Sequence, residues 1–446
     1  MTFKPLIFFP IITLVALGLH LYLWARLVRA TTRSRRQRQV GAIVIAVLGL
    51  LGVVGFMVTR TVGVDVRWLA WLGYVWIAVL LYLLLTLAVL EIPRAAAALW
   101  LRRRPAQEPT AATPAEADAP AELEPARAHA AASTPGRPLA STIVTQPPPT
   151  VRGPQEPETP DEDSGPATLD RRLFLGRACA LAAGGIAALA VGSGMSTAFG
   201  DLRTVRVTAP IPGLDPRLSG FRIAVVSDMH LGPFLREGTS ERVVALVNRE
   251  QVDLVTVLGD LADGSVEEVG PATEPLRQLT SRHGTYFVTG NHEYSSQVEP
   301  WVEQVRELGM RPLLNERVEI TSGGAAFDLA GVNDLIATSY DKPGPDFGAA
   351  LGDRDPSRPA FLLAHQPVQI HEAMKHGVAL QLSGHTHGGQ TAPLDRVIGV
   401  QQPLTAGLAR MGPTTLFVTR GVGFFGPPVR LGIPPEVAIV ELQARP

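Results

Sequence analysis

The chain has 446 residues, too many for one ordinary compact core, so more than one structural part is expected. Its formal net charge is −1 and no basic stripe is interleaved with aromatics, which argues against nucleic acid as a partner. Cys179 is the single cysteine, which excludes disulfides within the chain and a cysteine-rich zinc site.

Three apolar runs come first, at residues 6–28, 40–58 and 68–92. Each is long enough to cross a hydrocarbon core of about 30 Å at 1.5 Å per helical residue. Trp68, Trp71, Tyr74 and Trp76 gather at the start of the third, as an interfacial belt does. Residues 1–101 are therefore expected to be three transmembrane helices. The loop after the first carries Arg29, Arg33, Arg35, Arg36 and Arg38, and the third is followed by Arg94, Arg102, Arg103 and Arg104. The loop between the second and third has only Arg60 and Arg67, partly balanced by Asp65. The arginine-rich segments belong in the cytoplasm by the positive-inside rule, which puts the N-terminus outside.

Residues 102–169 show no hydrophobic periodicity and repeat Pro, Ala-Pro and Glu-Pro steps. Such a segment buries too little apolar area to offset its chain entropy and reads as a disordered cytoplasmic linker with polyproline stretches. Residues 170–200 form a fourth candidate span, opening Asp170-Arg171-Arg172-Leu173-Phe174-Leu175 before a mildly apolar, Ala- and Gly-rich core. The paired arginines are similar to a twin-arginine export signal, although Asp170 and Gly176 depart from the usual pattern. A plain span fits equally well, and both readings carry the following domain to the outer side. A soluble Ala-rich helix is the third reading, and it would leave that domain in the cytoplasm.

Residues 201–446 alternate short β-rich runs with helical spacing. Strands are expected at 221–227, 253–258, 285–289, 361–364 and 380–382, and helices at 239–250, 271–282 and 298–308. Two later strands, 415–419 and 437–442, are expected to complete a second sheet in antiparallel fashion. The expected fold class is α/β, a four-layer αββα sandwich of two facing mixed sheets flanked by helices, preceded by the helical transmembrane region.

Five polar blocks follow the carboxyl ends of these strands, the edge where open α/β sheets bind ligands. They are Asp228-Met229-His230, Gly259-Asp260-Leu261-Ala262-Asp263, Gly290-Asn291-His292-Glu293, Ala364-His365-Gln366-Pro367 and Gly384-His385-Thr386-His387. Alternating side chains let Asp228 and His230 reach one ion. Asp260 has two oxygens and is the natural bridge between two ions. Asp263 is either a hydrogen-bond support for a ligand histidine or a solvated turn residue. Asn291 is a weak neutral ligand, suited to a site whose charge stays low enough to admit phosphate. His365 follows an apolar run, where a satisfied core histidine is the default, and His385 and His387 repeat the i, i+2 spacing in a Gly-flanked turn. Each block alone is weak, but together they supply carboxylate, carboxamide and imidazole groups suited to two divalent ions. His283, His371 and His376 lie outside the blocks and carry no expected role.

Taken in order, D-x-H, G-D-x-x-D, G-N-H-E, a later H and G-H-x-H resemble the calcineurin-like metallophosphoesterase superfamily. The resemblance runs roughly over 202–442 and takes in 214–232 and Gly388-Gly389-Gln390. Arg420-Gly421-Val422-Gly423 and Pro434-Pro435-Glu436 are similar to the bacterial membrane-anchored phosphodiesterase branch. Some of that branch act on lipid-linked substrates such as UDP-diacylglucosamine. The resemblance implies Asp228, His230 and His387 on one metal, Asp260 as bridge, and Asn291, His365 and His385 on the second. His292 is implied as the acid beside the leaving group. The implied cofactors are two divalent ions, with Mn, Fe and Zn all compatible with the ligands. The implied function is hydrolysis of a phosphodiester or pyrophosphate bond by a hydroxide shared between the ions. The expected partners are the lipid bilayer, a phosphate-ester substrate that includes lipid-linked candidates, and, on the twin-arginine reading, the export machinery. A phosphomonoesterase or nucleotide phosphatase, and a non-catalytic metal-binding membrane sensor, are the competing functions.

Overall fold

The computed structural model describes residues 5–61, 67–103 and 166–445. It divides into two units, one made of 1–90 and 172–446, the other of 91–171. The second unit holds the end of one long helix and the start of the next; the expected linker between them lies almost wholly outside the described residues.

Four long helices precede the sheets: α1 (Pro5–Leu23), α2 (Arg35–Thr61), α3 (Arg67–Arg103) and α4 (Pro166–Ala198). Three stretches within them are long and apolar enough to cross a membrane, at Arg35–Phe56, Trp68–Ala96 and Leu173–Ala198. The first expected span falls on α1 and a following π-helix, Trp24–Arg29, and the side chains of 5–12 lie outside the described residues. In the first unit, Leu23, Ile45, Trp76, Tyr82, Leu83, Leu87, Ala183 and Ala187 share one apolar cluster, and Val429 joins it from the chain's C-terminal part.

The rest is a two-sheet sandwich. The first sheet has the order β1 (Arg203–Pro212), β12 (Glu436–Arg445), β2 (Arg222–Val226), β3 (Leu254–Val257), β4 (Thr285–Phe287) and β5 (Arg311–Pro312). The second runs β10 (Gly407–Met411), β11 (Thr414–Val418), β9 (Val378–Ser383), β8 (Ala360–Leu363), β7 (Ala325–Gly331) and β6 (Glu316–Ser322). β2, β3 and β4 are parallel, as are β7, β8, β9 and β11, and each sheet also carries antiparallel pairs. Both are therefore mixed.

Strands buried on both faces read as continuous apolar runs, and the alternation of β2 shows why. Ile223 and Val225 enter the layer between the sheets with Phe361, Leu363, Leu380 and Leu382. Ala224 and Val226 point the other way, toward Val243 and Val247 of the helix Glu237–Glu250 and Trp301 of the helix Val298–Glu307. On the far side of the second sheet, Leu362 and Ala364 meet Phe347, Ala350 and Ala373. Helix, sheet, sheet and helix thus stack in four layers, as the sequence led one to expect.

Two expectations are corrected. The strand expected at 437–442 joins the first sheet, antiparallel to β2 and parallel to β1, and not the second. The helix expected at 271–282 is a helix at Val266–Thr273 followed by a 3-10 turn at Glu274–Gln278, with Pro271 and Pro275 confining it. β1 and the hairpin β6–β7 had not been anticipated.

Candidate active site

The five blocks leave the carboxyl ends of β2, β3, β4, β8 and β9 and converge at one edge of the sandwich. Backbone bonds stitch the loops: Asp228 N donates to the Gly259 carbonyl at 3.1 Å, and His230 N to that of Asp260 at 3.1 Å. Asp228, His230, Asp260, His385 and His387 all adopt left-handed backbone conformations, with φ of 53°, 45°, 50°, 70° and 51°. Such non-glycine residues cost on the order of 1–3 kcal/mol each and persist where surrounding structure over-determines them, typically at functional sites. Gly384 permits a close approach: a Cβ there would lie 2.0 Å from Ser227 Oγ and 2.4 Å from Asp228 Oδ2.

Among the described residues three groups bring candidate ligand atoms together; one is His230, Asp263 and His292, and the other two hold the expected carboxylate and imidazole ligands. In one of these two, Asp228, His230 and His387 bring ligand atoms within 4.8 Å of one another; in the other, Asp260, His365 and His385 do the same. His230 Nε2 faces His387 Nε2 at 3.0 Å. His365 Nε2 lies 3.2 Å from Asp260 Oδ2, 3.2 Å from Asn291 Oδ1 and 3.2 Å from His385 Nδ1. Asp260 Oδ2 is also 3.8 Å from His230 Nε2, so this one carboxylate stands between the two groups.

Hydrogen-bond chemistry fixes two tautomers. A carbonyl only accepts, so His365 Nδ1, 2.6 Å from the Leu258 oxygen, carries its hydrogen. Asp263 Oδ1 does the same for His230 Nδ1 at 2.8 Å. With Nδ1 engaged in this way, each ring turns Nε2 toward the centre of its group. Around His365 Nε2 stand a carboxylate oxygen, an amide oxygen and a second ring nitrogen, each 3.2 Å away, the atom types that ligate a metal ion. The donor set, all nitrogen and oxygen with no thiolate, therefore fits divalent cations.

The buried charges agree. Burial pushes the Asp228 carboxyl above its usual range. Burial acts the same way on Asp260, but His365 and His292 outweigh it and hold that carboxyl well below. Burial, with the positive field of His365, depresses His385 to about 3, and burial with His230 pushes His387 well below its usual value, so both rings are neutral lone-pair donors. For His365 burial is outweighed by Asp260, which raises it well above the usual imidazole.

His292 and Asp263 sit beside these groups. Asp263 Oδ1 also accepts from His292 Nδ1, at 2.6 Å. Burial would lower the His292 pKa, but Asp260 and Asp263 raise it to about 9, so its ring carries a proton at neutral pH. His230, Asp263 and His292 line a cavity of about 520 Å³. Tyr74 of α3, Phe234, Phe424 and Phe425 give this cavity an aromatic side, while Ser265, Glu268, Ser295 and Gln297 give it a polar one.

The candidate ligands Asp228, His230, Asp260, Asn291, His365, His385 and His387 are thus brought together, with Asp263 and His292 beside them. His283 and His376 lie elsewhere, stacked on Phe221 and Phe347. Two supports were missed. Glu293 is buried and accepts from the backbone N–H of Gly290, Asp260 and Leu261 at 2.6, 3.0 and 2.7 Å, tying two motif loops together. Arg430, also buried, donates to the carbonyls of Gly423 and Arg420 at 2.7 and 2.8 Å and lies 3.2 Å from His387 Nδ1. The glutamate ending G-N-H-E was a visible signal; nothing local marks Arg430.

Residues 221–389 match the family model of calcineurin-like phosphoesterases. An uncharacterized metallophosphoesterase from Aquifex aeolicus is 33% identical over 233 residues, covering 52% of this chain and 88% of its own length. The chain belongs to the calcineurin-like phosphoesterase family. Within it, the chain is similar to a transmembrane protein with metallophosphoesterase domain from Bos taurus, 39% identical over 252 residues, or 54% of this chain and 57% of that one. It is also similar to an uncharacterized metallophosphoesterase from Helicobacter pylori, 39% identical over 231 residues, or 51% of this chain and 61% of that one. The chain thus spans between half and two thirds of the length of these two relatives. Family membership identifies the domain as a calcineurin-like phosphoesterase domain, and the helices that precede it include stretches long and apolar enough to cross a membrane.

Proposed function

We propose that this chain is a membrane-anchored phosphodiesterase or pyrophosphatase using two divalent ions, with its hydrolase domain on the outer side. Asp228, His230 and His387 would hold one ion and Asn291, His365 and His385 the other, with Asp260 shared. The observation that carries this reading is the position of Asp260 Oδ2, 3.2 Å from His365 Nε2 and 3.8 Å from His230 Nε2. When bound, two such ions supply positive charge for phosphate oxygens and lower the pKa of the attacking water. Asp263 engages His292 at Nδ1, which leaves Nε2 to hand a proton to the departing oxygen. The cavity of about 520 Å³ exceeds a phosphate group many times over, which supports a substrate with substituents on both sides of phosphorus. Its aromatic side, with Tyr74 from a candidate span, supports a phospholipid or lipid-linked phosphate as that substrate. The outward orientation rests on the arginines flanking the spans.

The test is hydrolysis by the full chain in vesicles, loaded with Mn, Fe or Zn. Its substrates are bis(p-nitrophenyl) phosphate, p-nitrophenyl phosphate and a lipid diphosphate. Preference for the diester or diphosphate, abolished in Asp260→Asn, supports the reading. Preference for the monoester makes the chain a phosphomonoesterase, and metal binding without turnover makes it a sensor.

A further inference from the structure

A loop of the hydrolase domain reaches the middle of a candidate membrane span. The span Trp68–Ala96 has Tyr82 at its midpoint. The buried Tyr82 hydroxyl donates to the Ala392 carbonyl at 2.9 Å, so the Thr391 hydroxyl is the donor in its 2.6 Å contact with the same oxygen. Ala392 N is in turn bonded to the Leu431 carbonyl at 3.3 Å. Val429 belongs to the apolar cluster of Tyr82, Leu83 and Leu87, with Leu431 packed against it. Tyr74, which lines the catalytic cavity, is eight residues from Tyr82, about 12 Å along a helix. The loops around 391 and 431 therefore follow α3 from the level of the cavity toward the level of mid-span.

The helix Asp395–Gln401 begins just beyond Ala392. It exposes Val397 by 61% and Val400 by 86%, three residues apart and so on one face. The segment just after it turns inward: Gln402 accepts from Val368 N at 3.0 Å, and Leu404 packs against the cluster of Ile370 and Leu416. Arg396, exposed at the start of the helix, has the length to carry its charge toward headgroups while its stem stays apolar. Two bare valines beside a chain segment that bonds to mid-span Tyr82 have one natural surrounding.

We propose that the helix Asp395–Gln401 is immersed in the bilayer, with Val397 and Val400 against acyl chains. The partner is the lipid surface itself. This interaction goes beyond the hydrolytic reading and bears on it, because the helix is grafted onto the histidine turn. A Cβ on Gly389 would lie 2.2 Å from Asp395 Cα, and Thr386 Oγ1 donates to the Thr405 carbonyl at 2.6 Å. The turn bearing His385 and His387 is thus clasped between the two ends of the lipid-facing segment.

The experiment uses the full chain with Cys179→Ser, so that a single introduced cysteine can carry an environment-sensitive nitrobenzoxadiazole label. Val400→Cys and, separately, Val397→Cys are reconstituted in phosphatidylcholine vesicles with brominated acyl chains. Val89→Cys, on α3, serves as the lipid reference and Asp353→Cys, on the sandwich, as the aqueous one. The expected result is blue-shifted emission at 397 and 400, quenched by bromolipid as at 89 and shielded from iodide. Iodide quenching equal to that at 353 would overturn the proposal. Shielding from both quenchers would overturn it too, by pointing to cover from a second copy of the chain. The readout needs no turnover, so failure of the hydrolytic reading leaves it standing, and the reverse.

Discussion

Nδ1 of His292 donates to Oδ1 of Asp263 at 2.6 Å, and the same oxygen accepts from His230 Nδ1 at 2.8 Å. One carboxylate therefore orients a proposed metal ligand and the proposed acid together. Asp263→Ala is expected to weaken metal binding by about 10–100-fold, the usual effect of losing a partner that orients a ligand. Competition against a fluorescent chelator measures this. An unchanged affinity would return Asp263 to the status of a turn residue.

His292→Ala is expected to keep the metal content of the parent. Its turnover of alkyl diesters should fall by about 10²–10⁴-fold, the range for a positioned acid, with far less loss for nitrophenolate leaving groups that need no proton. Rates across a leaving-group series decide the matter. An equal loss for every leaving group would contradict the assignment.

Glu293 accepts from three buried N–H groups, and Glu293→Ala strands them. At about 1–3 kcal/mol for each unsatisfied donor, the loss should exceed about 3 kcal/mol and lower the melting midpoint by roughly 10 °C. Thermal unfolding followed by circular dichroism checks this, with a shift under about 3 °C counting against it.

The left-handed backbone and buried charge of the site lead to a further expectation. Asp228 and Asp260 are deeply buried, and cations held by them bind the native state alone. Metal at a hundredfold over its Kd should add about 2.7 kcal/mol, so a chelator should lower the melting midpoint while metal restores it. Asp260→Asn should show little of this dependence.

Much of this arrangement was written in the local sequence. A strand buried on both faces leaves a continuous apolar run, so β2, β3, β4, β8 and β9 were visible, and the polar block after each marked the active edge. The partnership of distant loops was not visible, because strand order is set by long-range pairing. For that reason β12 was expected in the wrong sheet. The β6–β7 hairpin did leave a signal, the alternation of Val318 and Ile320 before Gly323 and Gly324, whose φ values of 60° and 78° suit a tight turn. Arg430 was hidden for a different reason. Arginines are ordinarily exposed, and only the fold supplies the carbonyls that satisfy this one.

The most direct measurement is elemental analysis of the active, full-length chain alongside its rate of phosphodiester hydrolysis. Two ions per chain are expected, with hydrolysis abolished as chelation empties the site and recovered as metal is returned. Hydrolysis that continues at full rate in metal-free protein would contradict the assignment of Asp228, His230, Asp260, Asn291, His365, His385 and His387.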